Sequence, residues 1–296
     1  MRNEEELAYL NLLSNIINYG SIKDDRTGTG TYSLFGTQLR FSLENNKIPM
    51  LTTKKMFTKG VIEELLFFLR GETDTKKLEA KGVNIWKGNT SRDFLDKRGL
   101  SYLPEGDMGL GYGWQWRNFG GEKETAYHTT RHPVESGIDQ VANLIKQLKE
   151  DPNSRRMIIS AWNPKQLHEI SLPPCHILYQ AYVDNGKLSA QFYQRSADFF
   201  LGSPFNILSY SILTRILAKI SRLQAKELIM ICGDSHIYTN HLNQVKQQIS
   251  RTPYDFPKLK INKDLSLIED IENLSFEDFE IINYNHHPAI IAPMAI

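Results

Sequence analysis

The chain has 296 residues, 35 Lys and Arg against 34 Asp and Glu, with 41% hydrophobic and 10% aromatic residues. That apolar content can bury a sizeable core and excludes wholesale disorder, while a net charge of +1 excludes gripping nucleic acid by bulk electrostatics. Cys175 and Cys232 cannot build a disulfide framework and fit a reducing compartment, and no run of about 18 apolar residues is present to span a membrane.

The N-terminus is acidic rather than signal-like. No repeat, low-complexity tract or linker divides the chain, which predicts one domain over 1–296. Leu7, Leu10, Leu13 and Ile17 recur at helical spacing, and Gly20 supplies a stop. The loop Asp25-Arg26-Thr27-Gly28-Thr29-Gly30 combines small groups with one guanidinium and suits a phosphate, but it lacks the Lys-Ser/Thr ending of a P-loop. A helix over 58–70, closed by Gly71, carries Glu63 and Glu64 inside an apolar run. Neighbouring helix positions point about 100° apart. Either one carboxylate faces inward, where burial raises its pKa, or both line the polar edge.

A helix over 138–149 ends at Asp151-Pro152, and 156–162 reads as a strand opened by Ser154-Arg155-Arg156. Pro173-Pro174 stiffens the approach to Cys175 and His176. A rigidly held thiol suits a nucleophile, and a small buried hydrophobe is the other reading. Cys232, inside Leu-Ile-Met-Ile-Cys, reads as core. Strands over 177–183 and 187–194 pair through Asp184-Asn185-Gly186, a hairpin signal. The second strand leads into Gln194-Arg195-Ser196-Ala197-Asp198, whose planar guanidinium again matches phosphate. The apolar run 207–220 predicts a buried helix, 228–232 a short strand, and 238–249 a helix that presents His236 and Tyr238 near its start. Seven acidic residues and no Lys or Arg fall between Asp264 and Glu280, a solvated face. The uncharged tail from Pro288 to Ile296 reads as a flap or a docked strand.

Taken together, these segments resemble the classical, folate-dependent thymidylate synthases, nearly end to end. The resemblance rests on Asp25 to Gly30, Thr52-Thr53-Lys54, Glu64-Leu65-Leu66, Gln115-Trp116-Arg117, Ser154-Arg155-Arg156 and Ala161-Trp162-Asn163-Pro164. It continues through Leu172-Pro173-Pro174-Cys175-His176, Gln194-Arg195-Ser196, Pro204-Phe205-Asn206, Asp234-Ser235-His236-Ile237-Tyr238 and Met294-Ala295-Ile296. The stretch from Ser91 to Glu135 is similar to the longer, eukaryote-like members. No dihydrofolate-reductase-like segment precedes the match, so the expected likeness is to the unfused enzymes.

The resemblance implies an α+β fold with a large mixed β-sheet and flanking helices, two such sheets packing back to back in a homodimer. It implies methylation of dUMP to dTMP with 5,10-methylenetetrahydrofolate, which leaves as dihydrofolate. Cys175 becomes the nucleophile at C6 of uracil, activated by nearby guanidiniums. Arg26, Arg195 and Ser196, with Arg155 and Arg156 from the partner subunit, hold the phosphate. Asn206 reads the base, and His236 and Tyr238 take the 3′-hydroxyl, with Ala197, Asp198 and Ile237 counted among the substrate-binding positions. Glu64, Tyr112 and His176 arrange proton transfer, with Glu64 as general acid–base. Ile85, Trp86, Asp198, Gly202, Phe205 and Ala295 face the folate, and the tail closes as a flap. No metal, flavin, NAD, membrane or obligatory nucleic acid is implied, and the expected location is the cytoplasm.

Two alternatives share these residues: a dCMP or dUMP hydroxymethylase of the same fold, and a catalytically silent nucleotide-binding homologue. Asn206 speaks against cytosine, whose donor and acceptor pattern is reversed. Three positions depart from the family pattern: Leu110-Gly111 replaces Pro-Val/Ile before Tyr112, which predicts a looser loop, Ser203 replaces an aliphatic residue, and Ile296 replaces Val.

Overall fold

The computed structural model describes residues 3–122 and 137–293. In chain order it forms α1 (Glu4–Tyr19), β1 (Ser21–Lys23), β2 (Thr31–Ser42), α2 (Thr58–Leu69), α3 (Lys76–Glu79), α4 (Arg92–Lys97), α5 (Tyr112–Asn118) and α6 (Gln140–Glu150). There follow β3 (Ile158–Ser160), β4 (His176–Asp184), β5 (Lys187–Asp198), α7 (Gly202–Ile220), β6 (Gln224–Tyr238), α8 (Leu242–Ile249), β7 (Lys258–Ile261), α9 (Ile268–Glu272) and β8 (Phe279–Ile282).

Local chemistry explains the ends of these elements. The Asn3 side chain accepts from the Glu6 N–H and caps α1, and a Cβ on Gly20 would meet the Ile16 carbonyl oxygen at 2.3 Å, so only glycine closes that turn. Asp139 caps α6 in the same way, and Val141, Leu144, Ile145 and Leu148 form its single buried stripe. Asn185 and Gly186, at φ 49° and 74°, give the hairpin turn read from the sequence.

Six strands lie in the order β1-β2-β6-β5-β4-β3, and β7 pairs separately with β8. All neighbours in the large sheet are antiparallel except β5 and β6, so the sheet is mixed and the fold α+β, as expected. A parallel pair needs a crossover, and α7 supplies it. That helix is buried almost all round; Ser211 and Thr214 survive there because their hydroxyls donate back to the Ile207 and Tyr210 carbonyls at 2.7 Å. It packs on β5 and β6, with Phe192 of β5 stacked on Tyr210 at 4.3 Å, and Ala190, Leu228 and Met230 are buried in the same core. The opposite face of the sheet is only partly covered, with Ile158 and Tyr182 exposed and Tyr193, Ile229 and Ile231 half-buried.

Three elements differ from the sequence reading. β6 is not a short strand followed at 238 by a helix; it runs fifteen residues, and α8 begins only at Leu242 after a single tight turn. Pairing with β2 on one side and β5 on the other overrides the poor strand propensity of Gly233-Asp234-Ser235. α7 starts five residues earlier than 207, because Pro204 falls in its first turn, where a missing N–H costs nothing. β3 contracts to three residues at the sheet edge.

The loop after β2 gathers both chain ends. Glu6, fully buried, accepts from the backbone N–H and hydroxyl of Thr52 at 2.9 and 2.7 Å, and from those of Thr53 at 2.8 and 2.7 Å. Burial raises its pKa, and these four bonds oppose the rise. From the other side, Arg251 donates to the Thr53 carbonyl at 2.6 Å and His287 N–H to the Thr52 carbonyl at 2.7 Å. Replacing Glu6 by Ala strands four donors in a buried site. The expected loss is about 3 kcal/mol, read as a lower urea midpoint, with Glu6→Gln falling between the variant and the parent.

Candidate active site

The carboxyl ends of β5 and β6 and the start of β4 converge. Between His176 and Leu178 the register of β4 against β5 slips by a bulge, which turns the chain just after Cys175. Cys175 is half-buried. Its carbonyl accepts from Arg195 N–H at 2.8 Å, and its own N–H donates to the Tyr112 hydroxyl at 2.7 Å. The Arg195 guanidinium folds back to donate to the Pro174 and Pro173 carbonyls at 2.8 and 3.0 Å, and it reaches the Cys175 Sγ at 3.8 Å. Burial pushes the Cys175 thiol above its ordinary pKa, while the charges of Arg195 and then Arg26 pull it down. The guanidiniums thus favour the thiolate, as the sequence reading expected, and burial outweighs them.

Arg26 is exposed on the loop between β1 and β2. Asp25 shapes that loop by accepting from the N–H groups of Thr27 and Gly30, each at 2.8 Å, and Gly28 and Gly30 adopt φ of 73° and 80°. Thr239 ties it to the end of β6 by donating to the Thr29 carbonyl at 2.7 Å. Tyr238 lies where the charges of Asp198, Asp25, Arg26 and Cys175 all act on it, and burial pushes its pKa up to about 12. His236 bonds Asp234 through Nδ1 at 3.1 Å. Ser196 and Asp198 are half-buried, whereas Ala197 and Ile237 point into the core, fully buried. Neither residue is open to a ligand directly, so both serve the site by packing beneath it. Arg155 and Arg156 are exposed ahead of the edge strand β3; within this chain the guanidiniums acting on Cys175 are Arg195 and Arg26.

The residues expected to arrange proton transfer include an aromatic stack. Tyr112 and His176 lie face to face at 4.0 Å and 13°, and His176 Nδ1 bonds the Tyr210 hydroxyl at 2.7 Å. Burial drops the His176 pKa to about 3, so it stays neutral. Of the two adjacent glutamates, Glu63 pairs with Lys81 at 2.6 Å, and Glu64 accepts from the Trp86 indole N–H at 2.7 Å. Burial lifts the Glu64 carboxyl to about 7, opposed by that bond, which suits proton transfer near neutrality. The Leu110-Gly111 departure does not loosen this corner. A Cβ on Gly109 would meet the Glu169 carbonyl oxygen at 2.0 Å, so the backbone is clamped there, and Tyr112 opens α5 almost fully buried.

Asn206, on the first turns of α7, receives a bond from Gln194 Nε2 to its Oδ1 at 3.2 Å. This leaves its NH₂ group and one lone pair on Oδ1 for a ligand. A Cβ on Gly202 would stand 3.8 Å from Asp198 Cβ and 4.0 Å from Asn206 Oδ1, which places all three on one wall. Both bonds accepted by Asp198, from Phe200 and Leu201 N–H, fall on Oδ1. Ile85 and Phe205 are half-buried, and the Trp86 ring lies against Phe68 and Tyr112. Ser203 is fully buried and faces away from that wall. Ala295, with Met294 and Ile296, lies outside the described residues.

Sequence reasoning missed Gln194 as the partner of Asn206 and Tyr210 as the partner of His176. Asn206, Tyr210 and Thr214 recur every four residues on one helical face, and that spacing was the available signal for Tyr210. Among the described residues no group of His, Cys, Asp and Glu could hold a metal, and no helix is long and apolar enough to cross a membrane.

The thymidylate synthase family model matches residues 7–296. The chain is 48% identical to thymidylate synthase of Ascaris suum over 295 residues, covering 99% of this chain and 98% of that one. It is likewise 48% identical to thymidylate synthase 1/2 of Encephalitozoon cuniculi over 285 residues, covering 96% and 95%. The bifunctional dihydrofolate reductase-thymidylate synthase of Paramecium tetraurelia is 49% identical over 292 residues, which cover 99% of this chain and 62% of that protein. The chain thus spans between 49% and 62% of the length of the bifunctional relatives it matches.

The charges around Cys175 make its alkylation a direct reporter. Iodoacetamide is expected to label Cys175 and to spare fully buried Cys232, with a rate that keeps rising as pH passes the ordinary thiol pKa. Arg195→Ala removes the first of the lowering charges, so labelling at a fixed pH slows further; an unchanged rate would show that the guanidinium does not act on the sulfur.

Proposed function

The chain belongs to the thymidylate synthase family, and from that premise we propose that it converts dUMP to dTMP. When bound, 5,10-methylenetetrahydrofolate supplies the one-carbon unit and the hydride and departs as dihydrofolate. The observation that carries the reading is Cys175 Sγ lying 3.8 Å from the Arg195 guanidinium, with the neighbouring Gln194 bonding Asn206. One domain over 1–296, active in the cytoplasm, completes it.

The nucleotide phosphate brings two negative charges to Arg26, Arg195 and Ser196. Its arrival offers the Arg195 fork a stronger acceptor than the Pro173 and Pro174 carbonyls it now bonds. Asn206, oriented by Gln194, donates to O4 of uracil and accepts from N3–H. His236 and Tyr238 receive the 3′-hydroxyl. The Cys175 thiolate then adds to C6, its electron pair forming the S–C bond while the C5–C6 π pair moves toward C5 and O4. Glu64, near half-protonated at neutral pH, serves the proton that O4 gains and C5 later loses, with Tyr112 and His176 ordering the route. The sulfur leaves with the pair it brought, so the enzyme returns unchanged.

The partly covered sheet face, with Ile158, Tyr182, Tyr193, Ile229 and Ile231, supports packing against a second copy. Arg155 and Arg156, exposed beside that face at β3, then reach the partner's phosphate site.

An assay with dUMP and methylenetetrahydrofolate is expected to give dTMP and dihydrofolate in equal amounts. Tetrahydrofolate with a hydroxymethylated nucleotide would overturn the reading. Cys175→Ala should bind dUMP and make no product, and Glu64→Gln should lower kcat by about 10²-fold or more. Mixing Cys175→Ala chains with chains carrying Arg155→Ala and Arg156→Ala should restore about a quarter of the parent activity, as random pairing predicts. If the mixture stays inactive after subunit exchange, the arginines do not cross to a partner.

A further inference from the structure

At the far ends of β5 and β6, away from Cys175, a cavity of about 620 Å³ opens beneath the carboxyl end of α7. Its volume lies within the range of small-molecule sites. Four cationic side chains line it, Lys187, Arg215, Lys219 and Lys260, against one carboxylate, Glu44. Arg215 is almost fully buried: it donates to the Leu43 and Lys47 carbonyls and to Asn46 Oδ1 at 3.3 Å, yet its Nε has no partner. A buried charged donor without an acceptor is costly. Asn45 and Asn46, at φ 55° and 62°, hold the 44–46 turn in the left-handed region at the cavity edge. Glu44 shows what the cluster attracts: its exposed carboxyl is bonded by Lys187 at 2.7 Å, and the charges of Lys187, Lys226 and Lys47 hold it below its ordinary pKa.

None of these residues serves the reaction proposed above, and the cavity stands on its own geometry. We propose that it is a second binding site, for a compact polyanion of about three negative charges, the excess of the four cations of its wall over the single carboxylate of Glu44. Triphosphates and tricarboxylates share that chemistry. A ligand of this kind displaces the Glu44 carboxylate from Lys187, spans to Lys219 and Lys260, and gives the Arg215 Nε–H an acceptor. Half-buried Lys219 now donates to the Ile261 carbonyl at 3.0 Å, and Lys260 lies 3.8 Å from Glu280, a contact that its exposed ammonium exchanges readily.

The test is calorimetric titration of the full chain at low salt with inorganic tripolyphosphate and, separately, citrate, each with and without saturating dUMP. The expected result is one binding event per chain that survives dUMP, with the stronger probe deciding between phosphate and carboxylate. Lys219→Glu and Lys260→Glu should each weaken it by roughly tenfold or more, with turnover and the thermal midpoint of the free protein unchanged. Lys219→Gln covers the case in which charge reversal disturbs the Ile261 contact. An event unaffected by these variants, one abolished by Arg195→Ala alone, or no binding of either probe overturns the proposal.

Discussion

Everything at the candidate site turns on holding a thiol in a pocket too dry to ionise it unaided. Burial favours the neutral sulfur, and two guanidiniums oppose burial without overcoming it. The cation that matters most is built in: Arg195 follows Gln194 on β5 and is locked to the two carbonyls immediately before Cys175. Those two bonds, rather than a loop, set the spacing of thiol and guanidinium. A ligand that withdraws the guanidinium toward its own phosphate changes the sulfur's surroundings in the same motion.

The rest of the fold supplies rigidity to that unit. The parallel pairing of β5 and β6 delivers Arg195, Ser196, Asp198, His236 and Tyr238 to one end of the sheet, and α7 returns beneath it to present Asn206 and Tyr210 from below. A bulge in β4 adds Cys175 and His176 to the same end. The aromatic stack of Trp86, Tyr112 and His176 excludes water from one flank, which is why His176 stays neutral and Glu64 retains its proton near neutral pH.

Much of this was legible in the sequence wherever local physics decides the structure. The helices α1, α2 and α6 announce themselves through apolar spacing and their caps, and the β4–β5 hairpin through Asn185-Gly186. What could not be read was decided at long range. Gly233, Asp234 and Ser235 look like a loop until β2 and β5 flank them. The choice between Glu63 and Glu64 was set by Lys81 and Trp86, residues in the following segment whose placement no spacing rule gives. Gln194 gave no sign of its role because its partner lies on another element. The site residues themselves came from ordered motif resemblance rather than from periodicity, and burial then separated those whose side chains are accessible from those, such as Ala197 and Ile237, that are wholly buried.

The alternation along β5 has a further bearing on how this chain tolerates change in length. Side chains switch sides at every step of a strand. Inserting or deleting one residue between Gly186 and Ser196 would turn the side chains of Ser196, Ala197 and Asp198 each to the opposite face of the sheet, severing recognition while leaving every amino acid in place. The stretch works as a ruler, and its count of residues shapes the candidate site as much as their identity does.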